Sequence, residues 1–420
     1  MLISFLLSTF WTLHTHPIPF SDYLDYYEIG FDLHEEGRFG VPTPTARRLP
    51  GYPALLALAM AVSRGVEWLA FFNIILAVAL IPLVYRLTMA LSGSRPAALT
   101  AAAICAFNPA FVLFAPIIAS EHLFVLFLFA SVFALFPKKS PGWQRVALAG
   151  ALAGLAVLTR GEALFYLPVM SYLVWARTRG GVRRRLLTTA ILLAACVVIV
   201  TPWLVRNRVV MGPGVGLSTT GGVNFYFGHN PTTYGYHDLT ETPIATDDEA
   251  EKQRRAFRRG IAYLSHSPSR ILSDIGTGTP KLLWEGDTYA AGAALRSFEI
   301  TAEHTIVTRA PYPRGSVPLT TWFYRALLPF ALAALWFARR IGRDVLVLLY
   351  GIVVMNWVCY SVVFWSKPRF RFTAEVAVCV LAALAAVALW ESVAGRLKKP
   401  EIPPPAGYSG DRSGIGELFP

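Results

Sequence analysis

The stretch Pro19–Pro53 reads PFSDYLDYYEIGFDLHEEGRFGVPTPTARRLPGYP and lies between a short apolar N-terminus and a long series of apolar segments. Four of its residues recur at helical spacing: Asp22, Tyr26, Gly30 and Leu33. This spacing predicts a helix that carries all four on one face. Ser21 or Asp22 is suited to cap its start, and Gly37 to end it. A polar helix in this position indicates a loop that lies against a membrane.

A basic segment follows this helix. Arg47 and Arg48 come directly before a sequence with two prolines, Leu49-Pro50-Gly51-Tyr52-Pro53, which interrupts the chain. The apolar run from Pro53 to Val62 is too short to span a membrane and predicts a second helix, at the membrane surface. The first outer loop is thus predicted to contain surface helices and to change from acidic to basic along its length.

The composition identifies a membrane protein. Of 420 residues, 55% are hydrophobic and 15% are charged, and the mean hydropathy is +0.48. A soluble domain would carry about 25% charged residues, so the predicted fold class is an all-α polytopic membrane protein. The net charge of +12 comes mostly from Arg and Lys clusters between apolar segments, as the positive-inside rule requires. Nucleic acid is therefore excluded as a partner.

The apolar segments predict about ten transmembrane helices. A short first segment precedes the opening loop, and the others are 68–91, 97–116, 122–136, 146–159, 163–176, 186–204, 319–338, 345–365 and 372–393. Every second connection is basic, which places both termini in the cytoplasm and the remaining loops outside. A long outer loop separates the seventh segment from the eighth.

These features divide the chain into four parts. Residues 1–205 form an N-terminal transmembrane module that includes the first outer loop (14–53), and 206–318 form an extracytoplasmic loop region. Residues 319–393 form the C-terminal transmembrane helices, and 394–420 form a cytoplasmic tail. The tail is rich in Pro and Gly, which is typical of a disordered segment.

The outer face of this topology carries arginines that the positive-inside rule disfavours. They lie at the outer ends of several segments: Arg47, Arg48, Arg160, Arg206, Arg208, Arg369 and Arg371. A guanidinium binds phosphate through a planar fork of donors. A ring of arginines at the outer membrane boundary therefore suits a lipid phosphate. The alternative is that each side chain snorkels to the headgroups or pairs with a nearby carboxylate, such as Glu121 or Glu162. Both interpretations stay open for any single arginine.

Asp22 has two interpretations of its own. As an N-cap it would stabilise the predicted helix by about 1 kcal/mol, which Ser21 could do alone. As a general base it would take a proton from an incoming hydroxyl or amine at the membrane surface. Glu121 opens an apolar segment and is either a partner of the helix dipole or a functional carboxylate. His229, in the turn Gly228-His229-Asn230-Pro231, is either a ligand or polar surface.

The order of these motifs resembles that of polyprenyl-phosphate-dependent glycosyltransferases of the GT-C type. The first outer loop carries D-x3-Y-x3-G-x2-L and then R-L-P-G-Y-P, at residues 22–33 and 48–53. Further matching segments are Ser120–Phe124, Leu158–Glu162, Pro202–Asn207, GGVNFYFGHNP (221–231) and Arg369–Arg371. The relatives in question are the protein O-mannosyltransferases and the aminoarabinose transferase of lipid A. The resemblance covers most of the chain in consistent order.

The resemblance implies a GT-C-like fold and a sugar-transfer reaction. Such enzymes take a sugar, hexosyl or pentosyl, from a polyprenyl monophosphate in the outer leaflet and pass it to an acceptor with inversion of the anomeric centre. By this resemblance, Asp22 and Glu121 are expected to be catalytic, with Asp22 as the base. The expected substrate-binding residues are Tyr26, Arg47, Arg48, Tyr52, Arg160, Glu162, Arg206, Asn224, His229, Asn230, Arg369 and Arg371.

The same resemblance implies an integral protein of the bacterial inner (plasma) membrane, with its active site on the extracytoplasmic face. Its expected partners are a polyprenyl-phosphate sugar donor, the lipid bilayer and an acceptor (lipid, glycan or protein) that the sequence does not identify. No cofactor is indicated with certainty, and the sequence leaves a divalent metal open.

Two other classes of protein compete with this interpretation. A lipid or solute transporter would place ionisable residues or Gly and Pro breaks at mid-span, in corresponding positions of two halves. Here the charges crowd at the outer ends of the segments instead. A ligase or polymerase that moves a glycan from a polyprenyl diphosphate would share the outer arginines, so the sequence keeps it as an alternative.

Overall fold

The computed structural model describes residues 1–15, 22–136, 140–231, 246, 248–285, 298–300, 306–308 and 316–397. Nearly all of these residues are helical, which confirms the predicted all-α class. The helices of the N-terminal half are α1 (Leu2–Thr15), α2 (Asp22–Glu36), α3 (Gly51–Met60), α4 (Val66–Ser92), α5 (Arg95–Phe107), α6 (Pro109–Phe114), α7 (Glu121–Ala134), α8 (Trp143–Thr159), α9 (Leu167–Arg177) and α10 (Val182–Val210).

The C-terminal half continues the helical pattern. Its described helices are α11 (Gly221–Gly228), α12 (Glu249–His266), α13 (Arg270–Leu283), α14 (Ser316–Ala333), α15 (Ala338–Ile341), α16 (Arg343–Trp357) and α17 (Phe372–Leu397). Tighter or wider helical turns occupy Gly161–Tyr166 and Pro368–Arg371 (3-10) and Val358–Val363 (π). Between α13 and α14, strand β1 (Phe298–Ile300) pairs antiparallel with β2 (Ile306–Thr308).

Four of the described helical segments are long and apolar enough to cross a membrane: Val66–Ser92, Val182–Val210, Arg343–Val363 and Pro368–Ala394. Shorter apolar helices accompany them: Leu2–Leu13, Gly51–Met60, Arg95–Phe107, Glu121–Ala134 and Trp143–Thr159. The count of about ten spans goes beyond these four and stays a prediction. Most of the predicted tail, residues 398–420, lies outside the described residues.

One predicted transmembrane segment, 97–116, is two helices in the structure. Asn108 separates α5 from α6, and its side chain accepts a hydrogen bond from Ala110 N at 2.9 Å. Pro109 opens α6, where a residue without an N–H leaves no donor unpaired. The Asn108 amide also donates to Glu375 Oε1 of α17 at 2.8 Å. The break thus gives a second partner to a buried carboxylate that also pairs with Arg371.

The first outer loop folds as the two helices that the sequence predicted. α2 begins at Asp22 and ends before Gly37, whose φ of +64° favours glycine, so the predicted helix and its end are confirmed. Ser21, the other candidate cap, lies outside the described residues. The predicted surface helix at 53–62 is α3, which begins two residues earlier, at Gly51.

The face of α2 that carries the predicted motif packs against α3. The Tyr26 ring meets the Tyr52 ring edge-on, with 5.2 Å between centroids. Gly30 lies so close to α3 that a Cβ there would be 3.0 Å from Leu56 Cβ. Only a small residue allows this approach, which holds α2 against the apolar helices.

Two glycines bring α8 and α10 close together. A Cβ at Gly154 would lie 2.7 Å from Ile199 Cβ and 2.9 Å from the carbonyl oxygen of Cys196. Gly150, one turn earlier, approaches α10 in the same way. Small residues at this spacing let membrane helices pack closely. Because Arg160 directly follows α8, this packing fixes the position of its backbone.

Candidate active site

A carboxylate of α2 lies between two arginines from distant parts of the chain. Asp22 Oδ1 accepts a hydrogen bond from Arg48 Nη2 at 2.7 Å, and Asp22 Oδ2 accepts one from Arg369 Nη2 at 2.6 Å. Arg48 comes from the loop between α2 and α3, and Arg369 from the 3-10 turn before α17. The structure thus brings together three of the residues that the sequence singled out.

The two guanidinium groups govern the protonation of Asp22. Burial raises the pKa of Asp22, but the charges and hydrogen bonds of Arg48 and Arg369 outweigh it and hold the pKa well below the usual range of a carboxyl group. Asp22 is therefore a carboxylate paired with two cations. Its side chain is 34% exposed, compared with 9% for Arg369, so the carboxylate is the accessible member of the group.

Asp25 shares Arg48 with Asp22. Arg48 Nε and Nη2 both donate to Asp25 Oδ2, at 3.1 and 2.7 Å. Arg47 lies at the rim of this cluster, where it pairs with Asp25 at 3.4 Å and with Glu249 at 3.5 Å. The sequence motif did not include Asp25, although its position one turn after Asp22 on the same helix was a usable signal.

A second charged cluster surrounds the arginine that follows α8. Arg160 Nη1 pairs with Glu121 Oε1, and Arg160 Nε with Glu162 Oε1, both at 2.8 Å. Arg160 Nη2 donates to the Tyr360 hydroxyl at 3.4 Å. Within the described part of the chain, the buried atom Glu121 Oε2 has no hydrogen-bond partner. Two carboxylates on one guanidinium leave this cluster with excess negative charge.

Two hydrogen bonds and one cation–π contact join the two clusters. The Tyr26 hydroxyl and Ser120 Oγ lie 2.9 Å apart, and Ser120 Oγ accepts a hydrogen bond from Arg160 Nη1 at 3.3 Å. The Arg48 guanidinium stands 5.2 Å from the centroid of the Tyr26 ring, a cation–π contact. Seven residues that the sequence predicted for the site are connected in this way: Asp22, Tyr26, Arg48, Glu121, Arg160, Glu162 and Arg369. Sequence reasoning missed Ser120, which lies inside a quoted motif, and Tyr360, which nothing marked.

Tyr52 supports this site from α3. Its side chain is fully buried, and its hydroxyl donates to Asn73 Oδ1 of α4 at 3.1 Å. Asn73 in turn donates to the carbonyl oxygen of Ala115 at 3.0 Å. These contacts hold the ring against which Tyr26 packs. A direct contact of Tyr52 with substrate stays a prediction.

Arg206, a predicted ligand, holds the loop that precedes Arg47. Its guanidinium donates to the carbonyl oxygens of Thr45 at 2.8 Å and of Phe39 at 3.1 Å. The same group lies 4.9 Å from the centroid of the Trp203 ring. These contacts describe a positioning role, and binding of substrate by Arg206 stays a prediction.

Arg371 is also occupied by protein groups. Its Nε donates to Glu375 Oε2 at 3.3 Å, and its Nη1 to the carbonyl oxygen of Leu282 at 3.4 Å. The guanidinium stands 4.1 Å from the centroid of the Tyr324 ring, and the residue is 2% exposed. Arg371 thus ties α17 to the end of α13. Its predicted contact with substrate stays untested.

Helix α11 and the turn after it contain three predicted ligands, and each contacts a protein group. Asn224 Oδ1 accepts a hydrogen bond from Trp365 Nε1 at 3.2 Å. Asn230 donates to a backbone carbonyl of α11 at 3.0 Å. His229 Nδ1 lies 3.3 Å from Asp274 Oδ2 of α13. The contacts connect the turn to neighbouring segments, and substrate binding by these residues stays a prediction.

Comparison with known proteins finds one matching family and several solved structures with a similar fold. Residues 44–205 match the family described as dolichyl-phosphate-mannose-protein mannosyltransferase. The archaeal oligosaccharyltransferase AglB from Archaeoglobus fulgidus, solved with an inhibitory peptide and a dolichol-phosphate, matches with a TM-score of 0.54 and 13% identity, over 95% of this chain and 52% of that one. The predicted resemblance to GT-C-type glycosyltransferases is confirmed. ArnT from Cupriavidus metallidurans in the apo state matches with a TM-score of 0.50 and 14% identity, over 89% and 56% of the two chains.

This chain spans about half the length of these solved structures. No curated protein sequence matches it. The family match covers residues 44–205, and the solved structures share the fold.

The sequence left a divalent metal open. The Archaeoglobus fulgidus oligosaccharyltransferase has also been solved in a complex with Zn and sulfate, and that structure matches with a TM-score of 0.52. In the part of this chain that the structure describes, no group of three or more His, Cys, Asp or Glu side chains is placed to hold a metal ion. A metal requirement of this chain stays open.

Proposed function

We propose that this chain is a glycosyltransferase that moves a hexosyl or pentosyl group from a polyprenyl-monophosphate carrier to an acceptor, with inversion. The observation that carries the proposal is the partly exposed Asp22 carboxylate between Arg48 and Arg369. The match to a mannosyltransferase family over residues 44–205 supports it. The acceptor is a lipid, a glycan or a protein on the extracytoplasmic face of the bacterial inner membrane.

Arg48 and Arg369 are assigned to the carrier phosphate. Each guanidinium offers a planar fork of donors that matches phosphate oxygens. During transfer the bond between the anomeric carbon and the phosphate oxygen breaks, and the leaving phosphate gains negative charge. Preorganised cations at that place lower the barrier. The two side chains are 17% and 9% exposed, so their charges are less screened by solvent than those of surface arginines.

Asp22 is assigned as the general base. It takes the proton from the acceptor hydroxyl or amine while the acceptor atom bonds to the anomeric carbon. Paired with two arginines, the carboxylate is a weak base, because its pKa is lowered. A carrier phosphate competes for the same guanidinium groups, and their movement toward it returns proton affinity to Asp22. The base is then strongest when the donor is bound.

The cluster of Glu121, Arg160 and Glu162 is assigned to the sugar. Sugar hydroxyls donate hydrogen bonds to carboxylate oxygens, and ionised acceptors make the stronger bonds. Glu121 Oε2 is an acceptor with no partner among the described residues. The path through Ser120 and Tyr26 fixes this cluster relative to Asp22. This placement agrees with a catalytic role of Glu121 at the transferred sugar.

A glycan ligase that uses a polyprenyl diphosphate is the second candidate. The observation that favours it is the fold shared with an oligosaccharyltransferase. Its donor carries a second phosphate and a longer glycan, so the two candidates leave different lipids behind when the protein is lost.

Mass spectrometry of lipid carriers separates the two candidates. In cells that lack the protein, we expect a polyprenyl monophosphate that bears a single sugar to accumulate. Complementation with the wild-type chain should clear this lipid, and complementation with Asp22→Asn should not. Accumulation of a diphosphate-linked oligosaccharide instead supports the ligase, and unchanged carrier lipids contradict both functions.

A further inference from the structure

The segment that leads to Arg369 is held from two sides by outer helices. On the α11 side, a Cβ at Gly228 would overlap the carbonyl oxygen of Phe364 and lie 3.3 Å from Trp365 N. On the α13 side, a Cβ at Gly278 would lie 2.8 Å from Ser366 Oγ. The atoms near Gly228 belong to the backbone, so only glycine allows this approach, and the segment is held close to both helices.

A buried histidine–aspartate pair lies at the same junction. His229 and Asp274 are 1% and 5% exposed. His229 Nδ1 lies 3.3 Å from Asp274 Oδ2, and His229 Nε2 lies 3.1 Å from the carbonyl oxygen of Val362. Both ring nitrogens therefore face oxygen atoms that accept hydrogen bonds. The imidazole connects α11, α13 and the segment that begins at Val362.

Both contacts of the imidazole can be hydrogen bonds at the same time only if the pair holds one shared proton. A neutral imidazole donates from only one nitrogen. If His229 Nε2 donates to Val362, a proton between Nδ1 and Asp274 must come from an imidazolium or from a protonated carboxyl group. Burial raises the pKa of Asp274, although the hydrogen bond and charge of His229 lower it. Loss of the shared proton leaves two lone pairs facing each other and breaks one of the two contacts.

The anchored segment continues as one packed unit to Arg369. The Phe370 ring stacks on the Tyr360 ring at 4.5 Å between centroids, with 13° between their planes. The same Phe370 ring meets Trp365 edge-on at 5.3 Å. Arg369 lies between these packed residues and Asp22, so a displacement at Val362 is transmitted to its guanidinium.

We infer that His229 and Asp274 are positioning residues, which share one proton and thereby hold the segment 362–371, with Arg369, against Asp22. This inference rests on the proposed role of Arg369 at the carrier phosphate. The pair does not touch Asp22 in this arrangement; it acts through the backbone of Val362. Donor binding should therefore weaken as the pH rises and the shared proton is lost.

Among the described residues, few other charged groups act on the pair. From α13, Arg270 is the charged group besides His229 that acts on Asp274. From α11, the Phe225 ring packs on the imidazole with 4.9 Å between centroids. From the anchored segment, the contact is the Val362 carbonyl. The pH dependence is therefore assigned to the pair itself.

Asp274→Asn is the informative variant. An Asn amide can donate to His229 Nδ1, and the neutral imidazole then donates from Nε2 to Val362. The contacts of His229 with residue 274 and with Val362 then both persist, and neither depends on the shared proton. The variant should keep the anchor at every pH, whereas His229→Phe, which has no ring nitrogen, should lose it at every pH.

The test measures binding of undecaprenyl phosphate to the full chain in detergent, at about pH 6 and about pH 8.5, two values on either side of neutrality. Between these values we expect wild-type affinity to fall by about three- to tenfold relative to Asp274→Asn, the effect of one lost hydrogen bond. Comparison of the two proteins at each pH cancels the titration of the lipid phosphate. The thermal unfolding midpoint should show the same difference in pH profile.

Three results would overturn parts of this inference. Identical pH profiles of wild type and Asp274→Asn exclude the shared proton. Different unfolding profiles with identical binding profiles exclude the positioning of Arg369 and leave the donor site intact. Absence of undecaprenyl phosphate binding at either pH contradicts the proposed function, and with it the positioning role.

Discussion

Asp22→Asn is expected to lose most sugar transfer while the protein stays folded and still binds its lipid donor. Asn is similar in shape to Asp and keeps the ability to cap a helix start, so α2 should persist. It cannot accept a proton from the acceptor at neutral pH. General-base assistance contributes about a hundredfold to ten-thousandfold in rate. We expect the variant's turnover to be lower than that of the wild type by a factor in this range. Single-turnover assays and donor-binding assays on the same preparation check this result.

The matched control is Asp32→Asn, on the same helix. Asp32 Oδ2 accepts a hydrogen bond from Val41 N at 3.1 Å, and the Asn oxygen can accept the same bond. This variant should keep near-wild-type turnover. Asp25→Asn is unsuitable as an inert control, because Asp25 shares Arg48 with Asp22. An active Asp22→Asn protein would show that Asp22 is not the base.

Arg369→Lys is expected to reduce turnover about tenfold or more, because Lys keeps the charge and loses the fork. Arg369 donates from Nη2 to Asp22 and from Nη1 to the Tyr23 hydroxyl at 3.1 Å. The single ammonium group of Lys cannot make the hydrogen bonds to Asp22 and to Tyr23 in the geometry of the guanidinium. The loss should appear in donor affinity as well as in turnover, and steady-state kinetics with varied donor concentration would measure both.

Arg258→Lys, on the exposed face of α12, is the control for this change. It makes the same change of guanidinium to ammonium outside the seven-residue site, and it should change neither donor affinity nor turnover. Arg48→Lys should resemble Arg369→Lys, because Arg48 binds the other oxygen of Asp22. If both site variants match wild type, the carrier phosphate binds elsewhere.

Local sequence was sufficient to predict the helix of the first outer loop. The spacing of Asp22, Tyr26 and Gly30 and the glycine at position 37 are signals within one short stretch. The structure confirms a helix with those bounds and packs that face on α3. Such features depend on neighbours in sequence, which is why they could be predicted.

The composition of the site depended on the tertiary fold. Asp22 and Arg369 are 347 residues apart, and no local pattern indicates that they meet. The outer ends of the segments also carry arginines with other contacts. Arg206 and Arg371 bind backbone carbonyl oxygens, and sequence alone could not separate them from Arg48. Their partners come from distant loops, so only the folded chain distinguishes the two kinds of arginine.

The break at Asn108 is a further feature that hydropathy missed. The segment 97–116 is apolar except for Thr100 and Asn108, and its average hydropathy predicts one helix. Asn108 followed by proline is a local sign of a helix boundary. The reason for the break, a buried carboxylate on α17, lies 267 residues away.

The central claim is that this chain transfers a sugar from a polyprenyl monophosphate at Asp22. The most direct measurement incubates purified wild-type protein with a panel of polyprenyl-phosphate sugars and a membrane fraction as acceptor source, and detects free polyprenyl monophosphate and the anomeric configuration of the product. The account predicts release of the lipid phosphate from at least one donor, with an inverted product, and little release by Asp22→Asn. Release by both proteins at equal rates, or by neither with any donor, would contradict it.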